Sequence, residues 1–461
     1  MLAIGCSFFQ NLIAMRKTNP KKQSVVKMPL VHPDAAGIDV GDTIHAVAVP
    51  EGRDDERVRS FGTMTCDLEE IIKWPRHCRV DTVAMESTGV YWKPLFNMLC
   101  KEGFEVYLVN SKHAKNVSGR KNDEDDACWI QKLHSCGLLK SSYLPDSEQE
   151  SLRTLVRHRK TLISDRNRFI LRMQKAMEMM NIKLHTVIRD ITGKTGTAIV
   201  EAIIKGERNP NQFLQYVDKN IKADHETIAK SLQGNWRPEQ LYLLEDCYQG
   251  YLYYGDRIAA CDQAIERQLH AYQKEVFPDV VVDKSARSKK QATKNTPKFN
   301  TCSYLRSILG VDVTSIFGLS EISALEILAE TGTDMSKWET SKHFVSWLNL
   351  CPNNKISGGK LISSLVMKKK PNIASQAFRN AANGVQRSDN WLGDYFRRMK
   401  SKGGNAYAMI ATANKIATVY YKMVSERIEF NPPELSLYRE KYKLAKIAYL
   451  ERKLMSLKAV E

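Results

Sequence analysis

Regular patterning starts at Ala35. In AAGIDVGDTIHAVAV, Ile38 and Val40 alternate with Gly37, Asp39 and Gly41, the period of two of a half-buried strand. A Gly-Asp turn then leads into a second apolar run from Thr43 to Val49, as in a hairpin. VRSFGTMT predicts a third strand, CDLEEIIKW a short helix stopped by Pro75, and VDTVAMES a buried strand. GVYWKPLFNMLCKEG follows as a helix closed by Gly103, and FEVYLVNS as another strand. Antiparallel strands followed by alternating helix and strand predict an α/β domain with a mixed sheet.

From Ser147 the period changes. Leu155, Leu162, Phe169 and Ala176 recur every seven residues, with Val156, Ile163, Ile170 and Met177 as a second column beside them, a stripe that asks for a partner helix. Arg153, Arg157, Lys160, Arg168, Arg172 and Lys175 occupy the positions expected to face outward. A second long helix, from about Pro238 to Phe277, repeats the pattern with Leu244, Tyr251, Ile258, Ile265 and Tyr272. Together they read as an antiparallel helical hairpin or a dimerising coiled coil. Between them, Gly193-Lys194-Thr195 invites a phosphate-loop reading, which fails because GxxxxGK[ST] would need glycine where Ile188 stands.

These patterns divide the chain into a basic arm (1–32), an α/β domain (33–146), a helical region (147–283), a basic linker (284–299) and a mostly helical C-terminal domain (300–461). Lys284 to Lys298 carries six basic residues and no acidic one. The last segment, Pro433 to Lys458, is a helix dense in Lys, Arg and Tyr.

Charge narrows the function. Across 461 residues, 69 Lys and Arg stand against 52 Asp and Glu, a net +17 that suits phosphate backbones. A membrane helix would need about 18 uninterrupted apolar residues, and no window supplies them. The N-terminal MLAIGCSFFQNLIAM lacks the basic leader and cleavage site of a signal peptide, and Met15 or Met28 could be the true start. The ten cysteines form no CxxC pair and no zinc-like spacing, so they read as thiols of a reducing cytoplasm.

The chemistry concentrates in RKNDEDDACWI, Arg120 to Ile130. On a helix Asp123 shares a stripe with Ala127 and Ile130, and Asp126 with Ile130 and Leu133. Glu124 groups instead with Cys128 and Gln131, and Asp125 with Trp129 and Lys132. Two carboxylates on an inward stripe need a cation or a basic partner. The plainer alternative is that acids near a helix N-terminus complement its dipole, worth about 0.3 to 1 kcal/mol. Asp39 shifts the balance, since a carboxylate inside an apolar strand flanked by glycines is disfavoured unless it is used. Glu86 ends VAMES at the carboxyl end of a strand, where open α/β sheets keep ligands. Each could still be a turn cap or an Arg partner, but the four match the oxygen ligands that hard divalent cations take.

GIDVG, MESTGVYW and GRKNDEDDACWI together resemble the three motifs of DEDD-type insertion-sequence transposases. The resemblance runs on through DITGKTGTAIVEAIIKGERNP, CDQAIERQL, WLNLCPNNKISGGK, GDYFRRMKSKGG and ATANKIATVYYKM, from about Ala35 to Val424. It implies a RuvC-like, RNase H-like N-terminal domain whose quartet Asp39, Glu86, Asp123 and Asp126 binds Mg²⁺ or Mn²⁺. It also implies a serine nucleophile at Ser357, guidance by a structured non-coding RNA, and a homodimer or homotetramer acting on DNA at element ends and target in the bacterial cytoplasm, at the nucleoid. The residues alone make Ser357-Gly358-Gly359-Lys360 an ordinary loop cap; the resemblance makes it catalytic.

IFGLSEISALEILAETG reads as a helix-hairpin-helix-like element with Ser320 where a second glycine is usual. Lys360, Lys368, Lys369, Lys370, Arg397 and Arg398 are candidate phosphate ligands. Three rivals stand beside this reading. A metal-dependent nuclease for branched DNA would use the quartet without Ser357. An actin-like ATPase or sugar kinase shares GIDVGDT but needs a later Gly-Gly adenosine signature that the chain lacks. A non-catalytic nucleic-acid scaffold would use neither site.

Overall fold

The computed structural model describes residues 29–109, 123–276, 278, 293–365 and 372–458. The basic arm up to residue 28, the stretch 110–122, most of the linker, and Lys368, Lys369 and Lys370 lie outside the described residues. The chain divides after Leu144 into two compact units.

The first unit is built on a five-stranded mixed sheet in the order β3-β2-β1-β4-β5. Its strands are β1 (Ala35–Val40), β2 (His45–Ala48), β3 (Val58–Phe61), β4 (Thr82–Glu86) and β5 (Glu105–Val109). β1 pairs antiparallel with β2, which pairs antiparallel with β3, while β4 runs parallel to both β1 and β5. The expected strands and mixed topology are therefore present. Helices α1 (Thr65–His77) and α2 (Trp92–Lys101) cover one face, burying Leu68, Ile71, Leu95 and Leu99 against Ile38, Val40, Val83 and Met85. α1 does not stop at Pro75 as expected. It runs to His77, because a proline in the last turn forfeits one backbone bond, and the helix closes around it with Cys78 N–H on the Trp74 carbonyl.

Helix α3 (Asp123–Ser135) covers the other face, and there the residues are small: Ala46, Ala48 and Ala84 beneath Ala127 and Ile130. The closest approach is at Gly37. A Cβ there would sit 2.3 Å from the backbone nitrogen of Gln131 and 2.4 Å from the carbonyl oxygen of Ala127, so the helix backbone rests directly on the strand. Near the far end of the helix, His134 is buried, its Nε2 2.9 Å from the Thr82 hydroxyl and its ring stacked on His32 at 4.8 Å.

The second unit is mostly helical. α4 (Ser147–Met179) is followed by the short α5 (Leu184–Val187), α6 (Lys194–Ile204) and α7 (His225–Ser231), then α8 (Pro238–Val276). α4 and α8 pack antiparallel: Gln268 donates to Glu148, Cys261 lies on the Leu155 carbonyl, Arg159 pairs with Asp262, and Phe169 meets Tyr254. Of the two arrangements open to the heptad stripes, this is the hairpin within one chain. The segment between them packs Ile199, Phe213 and Ile228 into one core with Met173 and Met177 of α4 and Leu244 and Tyr248 of α8. Gly196 there comes within 2.3 Å of the Ile191 carbonyl, measured from where a Cβ would stand, so the glycines of GKTGT serve packing.

Onto this pair fold α9 (Thr301–Leu309), α10 (Glu321–Thr331), α11 (Ser341–Trp347), the hairpin β6 (Asn353–Ser357) and β7 (Lys360–Leu365), α12 (Ile373–Val385), α13 (Trp391–Glu426) and α14 (Leu435–Lys458). Phe344, Phe378 and Tyr420 form the aromatic centre of this part. α13 breaks at Gly404, whose φ of 81° only glycine adopts readily. Three of the basic residues expected to face outward on α4 are paired with a neighbouring helix as well. Arg153 and Arg157 both bind Glu330 of α10, which is 2 % exposed, and Lys160 binds Glu326. Buried carboxylates on the neighbouring helix claim these cations.

Two consequences can be measured. Gly37→Ala should lower the unfolding free energy by about 1–3 kcal/mol in denaturant titration, since a methyl group there must lift α3 off the sheet. Burial, reinforced by His32, pushes the His134 imidazole down to about 4 from 6.5. The unfolded chain thus takes up a proton near pH 6.5 that the folded chain refuses until about pH 4, so stability is full above 6.5 and falls as pH drops between the two values. The melting temperature should decline across that window, by the equivalent of about 3 kcal/mol at most, and His134→Gln should remove most of the slope.

Candidate active site

Register brings two of the predicted carboxylates to one edge. β1 and β4 are parallel with Gly37 opposite Ala84 and Ile38 opposite Met85, so the next residues, Asp39 and Glu86, are neighbours at the carboxyl ends of adjacent strands. Strand alternation puts both on the face that carries Gly37 and Ala84, the face covered by α3. Glu86 is 4 % exposed and accepts a hydrogen bond of 3.1 Å from the Thr88 hydroxyl; Asp39 is half-buried.

α3 supplies the other pair from the opposite direction. Ala127 and Gln131 lie over Gly37, the Gln131 amide donates to the Ala35 carbonyl at 3.1 Å, and the Ser135 carbonyl accepts from the Val31 and His32 backbone N–H groups. The helix therefore runs antiparallel to β1, and its N-terminal turn lies toward the end of the strand that carries Asp39. Asp126, half-buried, immediately precedes Ala127 in that turn. Asp123 begins the helix, and its side chain lies outside the described residues. Among the described residues, no three His, Cys, Asp or Glu side chains stand close enough to hold one ion.

Gln131 was missed by the sequence reading, which grouped it with Glu124 and Cys128 away from the apolar stripe. It is 4 % exposed, and besides Ala35 it binds Ser135 and accepts from Arg57. The available signal was its spacing of four from Ala127, which puts it on the same face.

Ser357 ends β6 and is exposed, directly across the hairpin from Lys360. Gly358 and Gly359 make the turn with φ of 56° and 76°, the pair of left-handed residues that a two-residue hairpin requires. Among the described residues nothing stands within 4 Å of where their Cβ atoms would be. Arg397 and Arg398 are already engaged. Arg397 pairs with Asp394 and donates to the Gln386 and Ser388 carbonyls, closing the turn after α12. Arg398 lies over the rings of Tyr438 and Tyr442, 4.9 and 3.9 Å from their centroids, and hydrogen-bonds the Tyr438 hydroxyl. In the helix-hairpin-helix-like element, Ser320 caps α10 by accepting from the Ser323 N–H at 3.2 Å. Gly318, at φ 87°, packs onto α12, where a Cβ would come within 2.4 Å of the Ala381 carbonyl.

Among the described residues no helix is long and apolar enough to cross a membrane. Residues 36–182 match the family model of the IS110 DEDD transposases, described as "Transposase", and residues 312–397 match that described as "Transposase IS116/IS110/IS902 family". No curated protein matches the chain. The first match spans Asp39, Glu86, Asp123 and Asp126 and the second spans Ser357; neither favours the junction-nuclease or sugar-kinase readings. The two matches, in separate parts of the chain, agree with each other and support an IS110-type DNA transposase.

Proposed function

We propose that the first unit is an RNase H-like metal domain and that Ser357 is the nucleophile of strand exchange. The observation that carries the first part is the strand register, which makes Asp39 and Glu86 neighbours beneath the N-terminal turn bearing Asp126. The donor set fits a hard divalent cation, because it consists of carboxylate oxygens on a scaffold fixed by the sheet, and Mg²⁺ or Mn²⁺ accepts such ligands along with water and phosphate. Asp39, Glu86, Asp123 and Asp126 would hold it, and it would neutralise charge developing on the phosphate.

Ser357 Oγ attacks phosphorus, forming a phosphoserine bond as the deoxyribose oxygen leaves with a proton; rejoining reverses this on the exchanged strand. Its exposure at a turn that no described side chain overlies supports this role, as does Lys360 across the hairpin, whose ammonium group can stand against a phosphate. A structured guide RNA, recognised through shape and phosphates, and a dimeric or tetrameric assembly complete the reading, in keeping with the net charge of +17. Lys368, Lys369 and Lys370 continue the basic run beyond β7.

Purified protein with element-end and target DNA, Mg²⁺ and the RNA provides the test. Ser357→Ala should abolish the covalent protein–DNA adduct, and both Ser357→Ala and Asp126→Asn should lower strand exchange on the order of a thousandfold or more. Strand exchange by both variants at the wild-type rate would refute the mechanism. Cleavage that persists in Ser357→Ala without any adduct would transfer the reaction to the metal site alone.

A further inference from the structure

Where the chain leaves α13 and turns back as α14, it encloses a cleft of about 580 Å³. Aromatic rings line it. Phe430 is held edge-on by Phe317 at 5.4 Å, and Trp391 by Tyr438 at 5.8 Å. The Trp391 indole N–H is closed off from solvent and has no hydrogen-bond partner among the described residues. Three exposed lysines, Lys415, Lys422 and Lys441, belong to the same lining. Its one carboxylate, Glu429, is engaged by Arg306 and by the Asp312 N–H.

Rigid rings with an adjoining cluster of ammonium groups fit a ligand that is flat and apolar in its body and anionic at its ends. A duplex offers no such body, because its bases are stacked and paired. A second copy of this chain would bring further lysines to an already cationic cleft. A nucleotide released from its stack has both features, and the volume lies within the range of small-molecule sites. Single strands are held in this way elsewhere, bases on aromatic faces and phosphates on cations.

We propose that this cleft takes one unpaired nucleotide of a nucleic-acid strand, its base against the half-buried rings of Phe430 and Tyr438 and its flanking phosphates on Lys415, Lys422 and Lys441. Beyond it α14 continues with no buried residue and with Lys443, Lys446, Arg452 and Lys453 along its length, a cationic path for the strand on either side. The inference rests on nucleic acid as the substrate and on neither the carboxylate quartet nor Ser357.

The test is binding by the full chain carrying Ser357→Ala, in EDTA, so that failure of the metal or serine mechanism cannot affect it. Fluorescence anisotropy would compare single-stranded DNA, single-stranded RNA and duplex DNA of one sequence. Phe430→Ala should weaken single-strand binding about tenfold and leave duplex binding unchanged. Lys422→Gln, an exposed substitution that leaves the fold intact, should lower the slope of log K against log salt by about 0.7 for single strands. A strand carrying one 5-iodouracil should crosslink to Phe430 or Tyr438. Loss with DNA alone, or with RNA alone, supports the cleft and names the strand it serves. Equal loss for duplex and single strands, no loss with an unchanged salt slope, or a change in oligomeric state in place of strand binding would overturn it.

Discussion

The first unit depends on one contact, the seating of the α3 backbone on Gly37. Most helices keep about 10 Å from a sheet because side chains lie between them; here the strand has no side chain and the helix presents Ala127, so the two backbones meet. That closeness fixes the helix in position along its axis as well as in height. Gln131 can then reach the Ala35 carbonyl, Ser135 can receive the chain at Val31 and His32, and the N-terminal turn that carries Asp126 lies toward the end of β1 that carries Asp39. A larger residue at 37 would leave all the carboxylates present but no longer aligned. The glycine in GIDVG therefore belongs to the site as much as the aspartate two residues later does.

Charge is distributed differently from what the composition suggests. The net excess is real, yet many cations are used inside the second unit. Arg159 and Asp262, both almost fully buried, join α4 to α8, while Glu330 and Glu326 hold α10 to Arg153, Arg157 and Lys160. Arg398 is spent on tyrosine faces. Buried ion pairs of this kind specify which helix packs where more than they stabilise. The cations left for phosphate are those with no acid opposite, notably around the β6–β7 hairpin, because Glu339 and Asp389 bracket a long stretch without a single carboxylate.

Much of this was legible in the sequence, for definite reasons. Period-two alternation located β1 and β2, and seven-residue spacing located α4 and α8. Each is a local rule acting on neighbouring residues. Gly37 could be read as a strand glycine, but its partner α3 lies some ninety positions away, and no local rule connects the two. The same limit hid the inward Gln131, the conversion of the α4 arginines into internal ion pairs, and the cleft between Trp391 and Phe430. Pro75 was read too strictly, since a proline breaks a helix interior but is tolerated where the helix is ending anyway.

The two proposed catalytic elements are built on opposite principles, and the chemistry accounts for the difference. A metal ligand must be held still, so Glu86 sits nearly buried at the end of a strand with parallel neighbours on both sides. A nucleophile that becomes covalently attached to DNA must reach a phosphate and later release it, so it belongs where the backbone is narrow and the approach open. Gly358 and Gly359 provide both conditions: their positive φ angles fold the chain back in two residues, and none of the described residues overlies them. Any side chain at either position would strain the turn before it obstructed the phosphate, which makes the turn geometry the stricter of the two demands on this motif.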